Sequence, residues 1–189
     1  GKGTPLPRLG AFMCEVENTD LFPVRLSSAS AEMYRRMAAL SADEGERAYL
    51  TAIAEEHPGW QESLGERQKE MLGTTIAFTM AGGSQAANVI PQEAYVICNI
   101  RVAPGETVAG AVAALQAVAD RHQVELEVLR SNEPSPVTDP RGEAFVRVER
   151  AIQAAWPGTE VLPFLLSGGT DTKHFVSLWP NLSLIHISE

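Results

Sequence analysis

At 189 residues, with 44% of them hydrophobic, the sequence describes a globular protein long enough to bury one sizeable core or two small ones. A net charge of −9 and a pI near 5.0 argue against a nucleic-acid surface, because phosphate binding needs clustered cations and the 15 Lys and Arg are scattered. No apolar run approaches the ~18 residues of a membrane span, no signal-peptide pattern opens the chain, and Cys14 and Cys98 fit neither a CxxC metal site nor a disulfide framework, so two ordinary buried thiols are expected.

Residues 1–7 read as a loop, and Leu6, Leu9, Phe12, Met13 and Val16 then recur at helical spacing, giving a short amphipathic helix that ends near Asn18. After a connector over 19–27, Ser28 is the expected cap of a helix carrying Met33, Met37 and Leu40 on one side. Ser41 with Glu44 three residues later reads as a capping box for a second helix through Leu50, Ile53 and Ala54. A third helix is expected after His57, with Pro58 in its first turn and Trp60, Leu64 and Met71 inside. Residues 28–72 thus form a helical insert, and Met33, Tyr34, Met37 and Trp60 are read as its core rather than as a partner surface.

Two strands follow. Ile76, Phe78 and Met80 alternate with Thr75, Ala77 and Thr79, and Val96, Cys98, Ile100 and Val102 alternate with Tyr95, Ile97, Asn99 and Arg101. Each strand therefore has one apolar face, and Arg101 leaves the sheet on the opposite side, where it can present a cation to a ligand. Gly82-Gly83 loosens the connection between the strands, and Asn88-Val89-Ile90-Pro91 ends it with an extended residue before the proline. Pro104-Gly105 turns the chain into a helix striped with Val108, Val112, Leu115, Val118 and Ala119. His122 near its carboxyl end is read as meeting the negative end of the helix dipole. Val124, Leu126 and Val128 alternate with Glu125, Glu127 and Leu129 as a further strand. With one more strand ahead of Gly1, the order would make a split βαβ sandwich of four antiparallel strands with two helices on one face.

Ser131–Arg141, with Pro134, Pro136 and Pro140 among polar residues, reads as a domain crossing. Phe145, Val148, Ile152 and Ala155 then mark a helix stopped at Trp156-Pro157-Gly158, and 161–166 reads as a short buried strand. It runs into Ser167-Gly168-Gly169-Thr170-Asp171, a sequence suited either to a backbone nest that aims amides at a ligand or to a tight turn with an Asp cap.

Five motifs in order carry a resemblance: Gly-Gly-Ser-Gln-Ala-Ala-Asn-Val-Ile-Pro at 82–91, Asn-Ile-Arg at 99–101, Pro-Gly-Glu-Thr-Val at 104–108, Pro-Val-Thr-Asp at 136–139 and Gly-Gly-Thr-Asp-Thr-Lys-His-Phe at 168–175. Over roughly residues 1–180 the chain resembles the zinc-dependent aminoacylase and carboxypeptidase family, which includes glutamate carboxypeptidase, succinyl-diaminopimelate desuccinylase and the vacuolar Gly-Xaa carboxypeptidase. Its insert looks most like the branch with Gly-Xaa carboxypeptidase and fatty-acyl-amino-acid hydrolase. The resemblance implies an α/β fold in two parts: residues 1–131 as an α+β lid and dimerisation domain, a split βαβ antiparallel-sheet sandwich lacking its first strand and carrying the insert at 28–72, and residues 132–181 as a partial α/β catalytic-domain segment.

It further implies that Arg101 pairs with the substrate carboxylate, that Asn88 holds the group near the scissile amide, that Gly169 and Thr170 line the substrate from the catalytic side, and that Asp171 caps a helix beside them. The substrate implied is a small N-acyl amino acid or dipeptide, and the protein would pair as a homodimer through the lid, with neither nucleic acid nor membrane as partner. The parent would hold two zinc ions, whose ligands and general base lie upstream of this sequence, so the chain alone is expected to bind no metal and to hydrolyse nothing. The chain begins at Gly1 rather than Met, and it is read as an internal fragment of a cytoplasmic parent, or of a vacuolar or secreted one if the missing end carries a signal. Residues 182–189 depart from the family pattern and are read as non-native, with His186 no metal ligand. The alternative to a hydrolase fragment is a non-catalytic dimerising module that binds a carboxylate through Arg101.

Overall fold

In the computed structural model, residues 3–166 and Phe175 are described. Along the chain lie α1 (Pro5–Glu17), α2 (Ser28–Leu40), α3 (Glu44–Ala54), α4 (Trp60–Ser63), α5 (Glu66–Leu72), β1 (Thr75–Gly82), β2 (Tyr95–Arg101), α6 (Val108–His122) and α7 (Glu143–Ala155). They divide into two compact units, Gly1–Val24 with Gly73–Pro134, and Arg25–Leu72 with the chain from Ser135 onward.

The first unit is an antiparallel hairpin backed by α1 and α6. Leu9, Phe12 and Val16 of α1 and Leu115, Val118 and Ala119 of α6 form its buried core, against which Ile76, Phe78, Val96, Cys98 and Ile100 pack. The helical and strand periodicities thus meet on one apolar layer. Phe12 stands edge-on to Phe78, with ring centroids 6.2 Å apart and planes at 71°. α1 starts at Pro5, one turn into the expected loop, because prolines in a first turn sacrifice only N–H groups that have no helical partner. Glu106 N donates to Ala103 O (3.1 Å) across Pro104-Gly105, and Gly105 takes φ +93°, the left-handed position a type II turn reserves for glycine. Thr107 then caps α6 by accepting from Gly110 N (3.0 Å).

Two strand expectations are corrected here. The ladder pairs Thr75 with Arg101, Ile76 with Ile100, Ala77 with Asn99 and Phe78 with Cys98, and then skips to pair Met80 with Ile97 and Gly82 with Tyr95. The extra residue is a β-bulge at Thr79, which reverses the alternation beyond it. Met80, expected on the face of Ile76 and Phe78, therefore turns to the other face and is 59% exposed. The stretch 124–129 makes no ladder among the described residues: Val124 and Leu126 are half-buried against the core while Glu125 and Glu127 point outward. Its side chains keep strand alternation, but among the described residues β2 pairs only with β1, and 124–129 has no strand beside it.

His122 has a more specific partner than the helix dipole. Its Nε2 lies 2.5 Å from Glu15 Oε2, and Arg121 also pairs with Glu15, tying the end of α6 to α1. Hydrogen bonds from Arg121 and His122 hold the Glu15 carboxyl below the usual range. The cysteine expectation also changes: Cys14 is exposed and Cys98 half-buried, both free.

In the second unit α2 packs on α3. The caps differ from those read locally. Ser27, not Ser28, caps α2 by accepting from Ser30 N (3.0 Å), and Asp43, not Ser41, caps α3 by accepting from Glu46 N (2.7 Å). Ser41 instead donates to Glu46 Oε2 (2.6 Å). The single helix expected after His57 is two pieces parted at Leu64-Gly65, where Gln68 Oε1 accepts from Gly65 N (3.0 Å) and from the Tyr49 hydroxyl (3.0 Å). Met33, Tyr34 and Trp60 are buried, as core residues should be.

Glu32 organises the unit. It accepts from Arg35 (2.6 Å), Arg36 (3.1 Å) and Arg141 (3.2 Å), while Arg36 also pairs with Glu149, donates to Val161 O (2.8 Å) and lies 5.5 Å from the Phe145 ring centroid. These contacts join the insert to α7 and the segment behind it, so the insert groups with the chain after Ser135 and not with the strands. The expected buried strand over 161–166 is corrected: it joins no sheet among the described residues, and Phe164 and Leu166 are more than half exposed.

Burial opposes the charge of Glu32, but the hydrogen bonds from its arginines outweigh it and keep the carboxyl below its ordinary value of 4.5. A lowered folded pKa contributes stability that is complete above the unfolded value and is lost as pH falls through the folded one. Glu32→Gln should therefore cost about 1–3 kcal/mol at neutral pH, the range for stranding charged hydrogen-bonding groups, and the gap to the unmodified chain should close as pH drops below 4.5. Denaturation midpoints at several pH values check this, and an equal gap at neutral and strongly acid pH would refute it.

Candidate functional site

Of the residues singled out for function, Asn88 and Arg101 lie among the described ones, whereas Gly169, Thr170, Asp171 and the tail 182–189 lie outside them. Arg101 ends β2 opposite Thr75. The neighbouring pairs Ile76–Ile100 and Phe78–Cys98 face α1 and α6, so Arg101, with Asn99 two residues before it, projects from the other face of the hairpin. It is exposed, and among the described residues it has no ion pair.

Asn88 sits at the third position of the turn closed by Val89 N donating to Ala86 O (3.2 Å), in the exposed loop between the strands. That loop leaves the ladder at Gly82 and Tyr95, the end remote from Arg101. Six strand rises, about 20 Å, separate the two ends, so the hairpin alone does not bring Asn88 and Arg101 together. Burial pushes the thiol of Cys98, on the inner face, above its ordinary range and so disfavours the thiolate. A depression of about 360 Å³ lined by Leu6, Leu9, Gly10, Met13, Ala81 and Gly82 is mainly apolar and has no ionisable side chain in its lining.

The sequence reading missed two features of this face. Met80 joins it only through the bulge, which no local signal announces. Tyr95, which the alternation already sets on this face, lies with its ring across Gly82, where a Cβ would come within 2.5 Å of the ring; that close approach was not foreseen, and the tight-loop glycine was the visible hint.

The model of the peptidase dimerisation domain matches residues 22–127, more than half of the chain and inclusive of the insert, both strands and α6. The chain belongs to the M20 peptidase dimerisation-domain family. It is 30% identical over 110 residues to a probable carboxypeptidase S-like protein of Dictyostelium discoideum, covering 58% of this chain and 21% of that one. Over 109 residues it is 34% identical to an N-fatty-acyl-amino acid synthase/hydrolase of Xenopus tropicalis, covering 57% and 21%. Over 97 residues it is 34% identical to a succinyl-diaminopimelate desuccinylase of Nitrosospira multiformis, covering 51% and 25%. The chain thus spans about a fifth to a quarter of the length of these relatives. No solved structure matches it.

These relatives are named as a carboxypeptidase-like protein, a synthase/hydrolase and a desuccinylase. Metal dependence is general in the family, yet among the described residues no three His, Cys, Asp or Glu side chains are grouped to hold a metal ion. Among the described residues no such donor set fits a zinc ion. Among the described residues no helix is long and apolar enough to cross a membrane.

Proposed function

We propose that the chain is the substrate-gripping part of an M20 hydrolase that cleaves the amide bond of N-acyl amino acids or small peptides with a free carboxylate. Arg101 carries the reading: an exposed guanidinium at a strand end, turned away from the helices and without an ion pair among the described residues, inside a domain shared with hydrolases. A guanidinium presents two parallel N–H donors that match a carboxylate. Asn88 supplies an amide donor for the carbonyl under attack, provided the loop from Gly83 to Ala94 folds over the outer face. Gly169 and Thr170 line the substrate opposite. Residues 1–131 act as the lid and 132–181 as part of the catalytic domain. The parent holds two zinc ions, and pairs as a homodimer through the lid.

The test compares N-acetylamino acids with their carboxamides by calorimetric titration of the 189-residue chain. The acid should bind and the amide, of nearly the same shape but uncharged, should bind at least tenfold more weakly, one lost charge-assisted contact; equal binding would overturn the reading. The chain by itself should hydrolyse nothing. Turnover of N-acyl amino acids or dipeptides by the purified chain in zinc-supplemented buffer would sink that part.

A further inference from the structure

Two backbone edges in the strand-bearing unit stand open. β2 gives one edge to β1, and among the described residues no strand takes the other. The stretch 124–129 alternates as a strand does, Val124 and Leu126 against the core and Glu125 and Glu127 outward, with no strand beside it. Both rest on the one layer made by α1 and α6. Two packed helices, each about 10 Å across with axes about 9 Å apart, cover a layer about 20 Å wide, room for roughly four strands at about 4.8 Å each. β1, β2 and 124–129 account for three. Burial agrees: Leu115, Val118 and Ala119 of α6 are at most 3% exposed, whereas Val96, Cys98, Ile100, Val124 and Leu126, packed on the same core, are only half-buried. A strand residue with neighbours on both sides is covered by them, so half-burial on β2 and on 124–129 marks an absent neighbour. Open edges are ordinarily guarded by proline, lysine or a bulge. Here the bulge lies in β1, and neither Pro nor Lys stands in 95–101 or 124–129.

We infer that the space between β2 and 124–129 is a strand-addition site, and that its occupant is an extended segment of another polypeptide in which apolar residues alternate with basic ones. In such a site the backbone ladder supplies affinity and the side chains supply selection. The inward residues of the entering strand lie between Cys98 and Ile100 on one side and Val124 and Leu126 on the other, over the buried core, and so must be apolar. Its outward residues stand beside Glu125 and Glu127, both exposed and, among the described residues, without an ion pair. Opposite charges across a ladder attract and like charges destabilise it, so charge complementarity selects Lys or Arg over Asp or Glu. On the β2 side the outward Tyr95, Ile97 and Asn99 are uncharged, and Arg101 stands at the strand's end. The site uses backbone edges and not the Arg101 guanidinium, so it stands apart from the carboxylate reading.

The experiment titrates the 189-residue chain with the end-blocked peptide Val-Lys-Val-Lys-Val-Lys-Val and follows backbone amide exchange. In the free chain the amides of 124–129 should exchange as fast as those of exposed loops. Bound peptide should protect them together with the β2 amides that point away from β1. The peptide Val-Val-Lys-Lys-Val-Lys-Val has the same composition and charge without the alternation, and it should bind roughly tenfold more weakly, as should the first peptide methylated at alternate backbone nitrogens, which cannot complete the ladder. Val-Glu-Val-Glu-Val-Glu-Val should bind about fivefold more weakly than the lysine peptide. Glu125→Lys combined with Glu127→Lys should reverse that preference, and since both side chains are exposed the fold should survive. Equal binding of the alternating and rearranged peptides overturns the site, because attraction between a basic peptide and an acidic chain would then explain everything. Protection that spares β2 or 124–129 overturns it too, as does a lysine preference that the double variant leaves unchanged. Slow exchange at 124–129 in the free chain, with sedimentation as a dimer, would show a second copy on these edges and overturn the proposed occupant.

Discussion

Phe12→Ala should lower the stability of the strand-bearing unit by about 3–5 kcal/mol, the range for truncating a buried phenylalanine. Phe12 is 1% exposed, joins α1 to α6 in the core cluster and meets Phe78 edge-on across the layer between helix and sheet. Its removal therefore forfeits the transfer of a whole ring from water, leaves a cavity between two rigid elements, and loses an aromatic pair. Domains of this size are held by about 5–15 kcal/mol in total, so the variant should sit near the edge of folding at ordinary temperature. Urea denaturation followed by circular dichroism measures the loss. A control substitution at Phe164, 65% exposed in the other unit, should change stability by less than about 0.5 kcal/mol. A small effect at Phe12 would mean that α1 does not pack on the hairpin as described.

Arg101→Gln should weaken the binding of an N-acyl amino acid about 10- to 150-fold, the loss of one charge-assisted hydrogen-bonded contact of about 1.5–3 kcal/mol. Because Arg101 is exposed and has no ion pair among the described residues, the same change should leave the denaturation midpoint where it was. Arg101→Lys separates charge from geometry. Lysine restores the cation but not the planar fork, so it should recover part of the lost affinity and not all of it. Binding of the carboxamide should be indifferent to all three residues at position 101. Full recovery by lysine would reduce the site to general electrostatic attraction, and no loss in Arg101→Gln would remove Arg101 from the site.

Much of this molecule could be read residue by residue. The stripe of Leu9, Phe12 and Val16 in α1, the stripe of Leu115, Val118 and Ala119 in α6, and the hairpin arms all carry their period in the sequence, since each face must be apolar wherever it meets the same core. Pro104-Gly105 announced its turn because few other pairs tolerate the left-handed second position. The family was legible too, through five ordered motifs, and the domain match bears it out. The caps were read less well. Ser28 and Ser41 are plausible by type, but Ser27 and Asp43 hold those positions, as which of several adjacent acceptors reaches a helix end depends on where the backbone first turns.

What stayed hidden has a common cause. The face on which Met80 stands and the gathering of Arg141 and Glu149 on Glu32 and Arg36 of the insert are each settled by residues far apart in the chain. Local composition can show that Arg101 leaves the apolar face, because alternation is intrinsic to a strand. It cannot show that one extra residue at Thr79 rotates everything beyond it, and so sets Met80 and Tyr95 beside each other on the arginine's face. A bulge is fixed by how two strands pair, and pairing is a property of their register in space, which no stretch of either strand carries alone.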